Sequence, residues 1–261
     1  MTYFQSAADI HRHLSSSGRT TGDGATWRRE VDARPVLTLG GQRGEDISLA
    51  DAHLPWRGLP LDGVHEISGP SGGLFTAMLV AALLNRSGDA RPVLWCQEQR
   101  DTQERGLPWG GGLAGLGVPT ERVLFAFGSN PDDTLWAMEE GLSSGAVAAV
   151  IGSVGTVSMT ATRRLQLAAA RGGAMALLLR EGDAGREPSA ALTRWHVAPV
   201  PAEIEQGKWS DLPGAERMNL TLWRCRGGAP DSWMIEYDSQ AFCFSSLSIL
   251  ANRPDSTCIA A

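Results

Sequence analysis

At 261 residues and 43% hydrophobic content, the chain can bury a large core, and its length fits one main α/β domain with appendages. The formal net charge of −6, from 23 basic and 29 acidic residues, excludes whole-molecule electrostatic attraction to nucleic acid. Four scattered cysteines, Cys96, Cys225, Cys243 and Cys258, form no C-x-x-C pair and have no histidine at ligand spacing. That pattern argues against a metal site or a disulfide framework and fits a reducing cytoplasm.

The first residues lack a basic start and an apolar signal core, and no apolar run approaches the roughly 18 to 20 residues a bilayer span needs. No membrane contact is expected. Residues 4–16 read as a short helix, ended by Ser15-Ser16-Ser17-Gly18, so residues 1–25 are assigned as an N-terminal helix and flexible linker. His11 and His13 in that helix read as solvated side chains. The folded domain is expected over residues 26–244, with 245–261 a flexible C-terminal tail.

From Val64 the chain alternates strand and helix. Val64 to Ile67 reads as a strand and Phe75 to Asn85 as a helix apolar all round, as for a helix buried on a sheet. Pro92 to Cys96 is an uninterrupted apolar strand, Gly106 to Pro119 a short helix or loop, and Arg122 to Phe127 another strand. Asn130-Pro131-Asp132-Asp133 is a helix start, with a capping side chain, a first-turn proline and acids that complement the dipole; Leu135, Met138 and Leu142 follow at helical spacing. Ala146 to Ile151, a helix over Met159 to Arg171, and Ala174 to Leu179 complete the βα repeats. Such repeats imply a mostly parallel sheet with helices on both faces. Leu192 to Val197, Met218 to Arg224 and Trp233 to Tyr237 alternate with period 2, and the last two, joined across Gly227 to Pro230, form an antiparallel hairpin at the sheet edge.

Between the first strand and helix stands Gly69-Pro70-Ser71-Gly72-Gly73-Leu74-Phe75-Thr76. Against the phosphate-loop pattern G-x-x-x-x-G-K-[ST], Gly69 and Thr76 match, but Leu74 replaces the second glycine and Phe75 the lysine. The replacement removes a side-chain-free position that lets backbone wrap phosphate, and the charge that would neutralise it. Gly69, Pro70, Gly72, Gly73 and Thr76 are therefore assigned to a degenerate nucleotide loop. No cofactor and no metal are expected; weak ATP binding through the Gly72-Gly73 amides and Thr76 is the residual alternative.

The order of parts resembles the RecA-type core. More closely, Val93-Leu94-Trp95-Cys96, Leu135-Trp136-Ala137-Met138-Glu139-Glu140, Thr162-Arg163-Arg164-Leu165-Gln166-Leu167-Ala168-Ala169 and Trp223-Arg224-Cys225-Arg226-Gly227-Gly228 resemble the ImuA family, over about Ala33 to Asp238. ImuA proteins are RecA-related, SOS-inducible members of bacterial translesion mutagenesis cassettes, often labelled SulA-like. By this resemblance Glu98 matches the water-orienting acid of RecA proteins and Gly152 stands where an acid should hold magnesium. Arg180 falls near the γ-phosphate-sensing position, and Arg224 and Arg226 match a basic pair extended into a neighbouring subunit.

What the resemblance implies is a non-catalytic accessory subunit that binds an ImuB-like protein and supports an error-prone replicative-type DNA polymerase, with RecA and self-association as further partners. DNA binding is expected to be weak or indirect, because Val154 to Ser158 is short, Glu181 to Glu187 is acid-bearing, and Arg163, Arg164 and Arg171 offer few cations. Two alternatives stand beside it, an atypical P-loop ATPase and a SulA-like cell-division inhibitor binding FtsZ. Among the tryptophans, Trp95 and Trp195 are expected in the core, Trp136 beside the core face of its helix, and Trp109, Trp209 and Trp223 as surface anchors.

Overall fold

The computed structural model describes residues 2–4, 9, 12–13, 36–37, 54–55, 57–86, 88–180, 187–201, 216–238, 240 and 243–246. In chain order the elements are β1 (Thr2–Phe4), β2 (Val36–Leu37), β3 (Leu59–Pro60), β4 (Val64–Ser68), α1 (Gly72–Leu84), β5 (Val93–Glu98), α2 (Gln99–Arg105), α3 (Gly110–Gly115), a 3-10 turn (Thr120–Arg122) and β6 (Val123–Gly128). There follow α4 (Pro131–Ser143), β7 (Ala149–Ser153), α5 (Met159–Gly172), β8 (Met175–Leu179), β9 (Thr193–Pro199), β10 (Arg217–Cys225), β11 (Asp231–Asp238) and β12 (Cys243–Ser246).

Among these residues one ten-stranded sheet runs β1-β6-β5-β7-β8-β4-β9-β10-β11-β12, beside a small β2-β3 ribbon. From β1 to β9 every pairing is parallel; β10, β11 and β12 add antiparallel strands. The mostly parallel sheet with helices on both faces and a C-terminal hairpin is the α/β architecture that the apolar strands and helical spacings imply. The β10–β9 register shifts between Leu222 and Arg224, a bulge where the parallel and antiparallel parts meet.

Two cores fill the layers. On one face α1 sets Phe75 and Met78 among Trp95, Phe125, Ile151 and Trp195. Every α1 residue but Gly73 and Leu74 is buried, because its core cluster also takes in Leu59 of β3 and Leu113 of α3. On the other face Met138 and Leu142 of α4 and Leu165 of α5 pack on Leu94, Val150 and Leu178. The α4 start is capped as its sequence implies: Asn130 Oδ1 accepts from the Asp133 N–H at 2.9 Å, and Pro131 opens the first turn.

Three short elements depart from the sequence pattern. Thr2–Phe4 is a strand that covers the β6 edge, where a helix is expected from residue 4; Asp9, Arg12 and His13 are helical. The seven-residue α2 follows β5 directly. At the far edge β12 pairs with β11 through Ser246, two residues past the expected end of the domain. Among the described residues no helix is long and apolar enough to cross a membrane, and no group of three or more metal-binding side chains gathers.

Candidate functional site

The glycine turn between β4 and α1 is shorter than the sequence pattern implies. Helix α1 begins at Gly72, so Gly72, Gly73 and Thr76 are helical and only Gly69, Pro70 and Ser71 remain as loop. Gly69 has φ +94°, a left-handed conformation that favours glycine, and a Cβ there would collide with the Val197 carbonyl of β9. The turn is thus pressed onto β9. Its amides are engaged as well: the Ser71 N–H donates to Val197 O at 3.1 Å and the Gly72 N–H to Gly69 O at 3.0 Å. A loop that wraps phosphate needs several free N–H groups, and these two point into the protein.

Phe75, where the phosphate-loop pattern would have a lysine, is fully buried and packs on Trp195 and Phe244 at centroid distances of 6.4 and 5.6 Å. Thr76 is also fully buried, and its hydroxyl makes no hydrogen bond among the described residues. Leu74 is half-buried against the same core. Leu74 and Phe75 are therefore packing residues of the core, and neither carries a charge.

The other aligned positions lie at the ends of neighbouring strands. In β7, Gly152 faces α4, where a Cβ would strike the Met138 sulfur, while its neighbour Ile151 faces the α1 core. An aspartate at 152 would have to displace Met138. Glu98, at the end of β5, has its carboxyl pushed up by desolvation and by Asp101. Arg180, just past β8, donates its backbone N–H to Ile67 O at 2.8 Å, which sets it beside the end of β4. Its guanidinium is buried and ion-paired with Glu187, while Nε and Nη1 have no partner among the described residues.

Sequence reasoning passed over a polar seam at the β4–β9 junction. Glu66 and Arg194 sit opposite each other in the sheet and form an ion pair at 2.7 Å with both side chains almost wholly enclosed. Ser189 Oγ donates to the other Glu66 oxygen at 2.6 Å, and Arg194 Nη2 donates to Glu187 O at 2.8 Å. On the opposite face of β4, the Trp195 indole N–H donates to Thr193 Oγ1 at 2.7 Å, and Oγ1 lies 2.7 Å from His65 Nδ1. His65 Nε2 lies 2.9 Å from Pro60 O, which can only accept, so Nε2 carries the proton and Nδ1 accepts from Thr193. Burial pulls the His65 pKa down to about 4. The signal was present in the sequence: charged and polar residues inside strands buried on both faces must find partners.

Arg224 and Arg226 lie at the other end of this region. Arg224 aligns with Arg194, level with Glu66, about 10 Å down the sheet from Gly69 at roughly 3.3 Å per residue. Its Nη1 donates to Ser189 O at 3.0 Å, while the Arg226 side chain is exposed at the hairpin turn. Neither reaches the glycine turn of its own chain. Of the helical cations, Arg164 pairs with Glu139 at 2.5 Å, and Arg163 and Arg171 are exposed. Residues 181–186 of the acid-bearing loop, and Trp209, lie outside the described residues.

Trp95 and Trp195 are core residues, joined by Trp233. Trp109 is exposed, and Trp223 is half-buried, stacked on His196 at 4.8 Å and 13°. Trp136 is 44% exposed at the helix surface.

No family model matches the chain. Among curated proteins, Protein ImuA from two strains of Caulobacter vibrioides is 32% identical over 220 residues, covering 77% of this chain and 83% of the relative. Cell division inhibitor SulA from Photorhabdus laumondii is 32% identical over 117 residues, 44% of this chain and 63% of that relative. The coverage and identity of the first match, together with a parallel sheet whose glycine turn opens α1, establish that the chain belongs to the ImuA family.

Proposed function

We propose that this chain is a non-catalytic, RecA-like accessory subunit of damage-induced translesion synthesis. It acts in the cytoplasm by binding an ImuB-like protein and an error-prone replicative-type DNA polymerase. The observation that carries this reading is Phe75: the position that would supply a lysine to phosphate is committed to the hydrophobic core. Phosphoryl transfer is catalysed almost entirely by positioned charge, and losing one cation in such a site costs orders of magnitude in rate. Gly152, turned toward Met138, supports the same reading from the metal side.

The test has two arms. Purified protein should show no ATP turnover above a Thr76→Ala control, and the tagged chain should co-purify with the ImuB-like protein from damaged cells. Turnover that Thr76→Ala abolishes would move the chain to the ATPase class. A second reading rests on the SulA match: a division inhibitor would bind purified FtsZ and cause filamentation on expression without damage. Binding to the ImuB-like protein without binding to FtsZ decides between the two.

A further inference from the structure

Helices α4 and α5 lie side by side over the sheet and leave between their N-terminal halves a groove of about 330 Å³. Leu135, Ala161 and Leu165 line its apolar part, and Trp136 stands at its side with 44% of its surface in water. The Glu139–Arg164 ion pair, at 2.5 Å, ties the helices together across it. The volume lies at the small end of the roughly 300–1,000 Å³ range of ligand clefts, which suits one or two inserted side chains better than a cofactor.

Charge identifies the occupant. Every charged side chain on α4 is acidic: Asp132, Asp133, Glu139 and Glu140. Arg164 is neutralised by Glu139, and the Asp133 carboxylate accepts from Asn130 Nδ2 at 3.0 Å. Asp132, an exposed residue lining the groove, makes no ion pair among the described residues. An exposed indole next to an unpaired carboxylate matches a guanidinium, which stacks flat on aromatic faces and meets a carboxylate with two parallel donors; an ammonium does neither as well. A nucleic-acid phosphate would meet Asp132 and an already neutralised Arg164, so it is the wrong occupant.

We propose that the α4–α5 groove is a docking site for an arginine-bearing apolar segment of a partner protein. An apolar side chain enters over Leu135, Ala161 and Leu165, and the arginine lies on Trp136 with its guanidinium on Asp132. This deepens the accessory-subunit reading and rests on it, since that reading supplies the partner.

Calorimetric titration of the full chain with the purified ImuB-like protein tests it. Asp132→Arg and Trp136→Ala change exposed positions, and each should weaken binding at least about tenfold, as an anchor residue does. Arg163→Glu, away from the groove, should leave affinity unchanged, and thermal melts check that all variants are folded. If both groove variants bind as tightly as wild type, the groove proposal falls while the accessory reading stands. If the partner does not bind the wild-type chain, the accessory reading falls, and the groove is judged with N-acetyl-Leu-Leu-Arg-amide at millimolar concentration. A shift of the Trp136 indole resonance that Asp132→Arg removes supports the groove. No shift, or an equal shift with the Leu-Leu-Glu analogue, overturns it.

Discussion

His65 is wholly enclosed, with Nδ1 accepting from Thr193 and Nε2 donating to Pro60. A second ring proton would have to displace the Thr193 hydroxyl's own, in a site without solvent. The folded-state pKa is about 4 against 6.5 for the free side chain, so between those values the unfolded chain binds more protons than the folded one. This group's contribution is fully present above pH 6.5 and is lost as pH falls toward 4, a total of about 3 kcal/mol. Urea unfolding at pH 7.5 and pH 5 should therefore show wild type losing about 2 kcal/mol more than His65→Gln, which keeps polar ends without an imidazole proton. Equal losses would mean that His65 is not the group titrating. At this scale the sequence was half legible: a motif states which residue types it needs, so Leu74 and Phe75 could be seen as replacements. The Glu66–Arg194 partnership spans 128 positions and could not be read from spacing.

Among the elements, α1 separates two consequences of the altered loop. Phe75→Ala should cost about 3–5 kcal/mol, as for other buried aromatic truncations. Thr76→Val should be neutral or raise the melting temperature, because the hydroxyl it removes is buried without a partner among the described residues and the new methyl fills nearly the same space. A loss above about 1 kcal/mol in chemical denaturation would show that Thr76 Oγ1 is hydrogen-bonded after all. Long capped helices were legible, as Asn130-Pro131-Asp132-Asp133 announces α4. The onset of α1 at Gly72 was not, because two glycines followed by Leu74 read locally as loop, and only contact with β9 shapes the turn before them. Nor was α2, whose seven residues bury nothing and so carry no apolar period. At three and four residues, β1 and β12 are too short for alternation to register.

For the whole molecule, apolar runs at Val93 and Ala146 and the repeated βα order made a parallel sheet legible. The strand order was not, because β4 sits between β8 and β9, neither of them its neighbour in sequence. That placement has a consequence for synthesis. As the chain emerges from the ribosome, β5 can pair with β6 and then with β7, each as soon as it is made. The strand that ends at the glycine turn has no partner until β8 is complete at Leu179. Ribosome-bound chains halted with residue 174 just outside the tunnel should be cut by protease within β4 and α1 while β5 to β7 resist. Chains extended past Pro199 should be protected throughout, and early protection of β4 would refute this order. From the completion of α1 at Leu84 until β8 is made at Leu179, a helix apolar on every side is a candidate for chaperone capture.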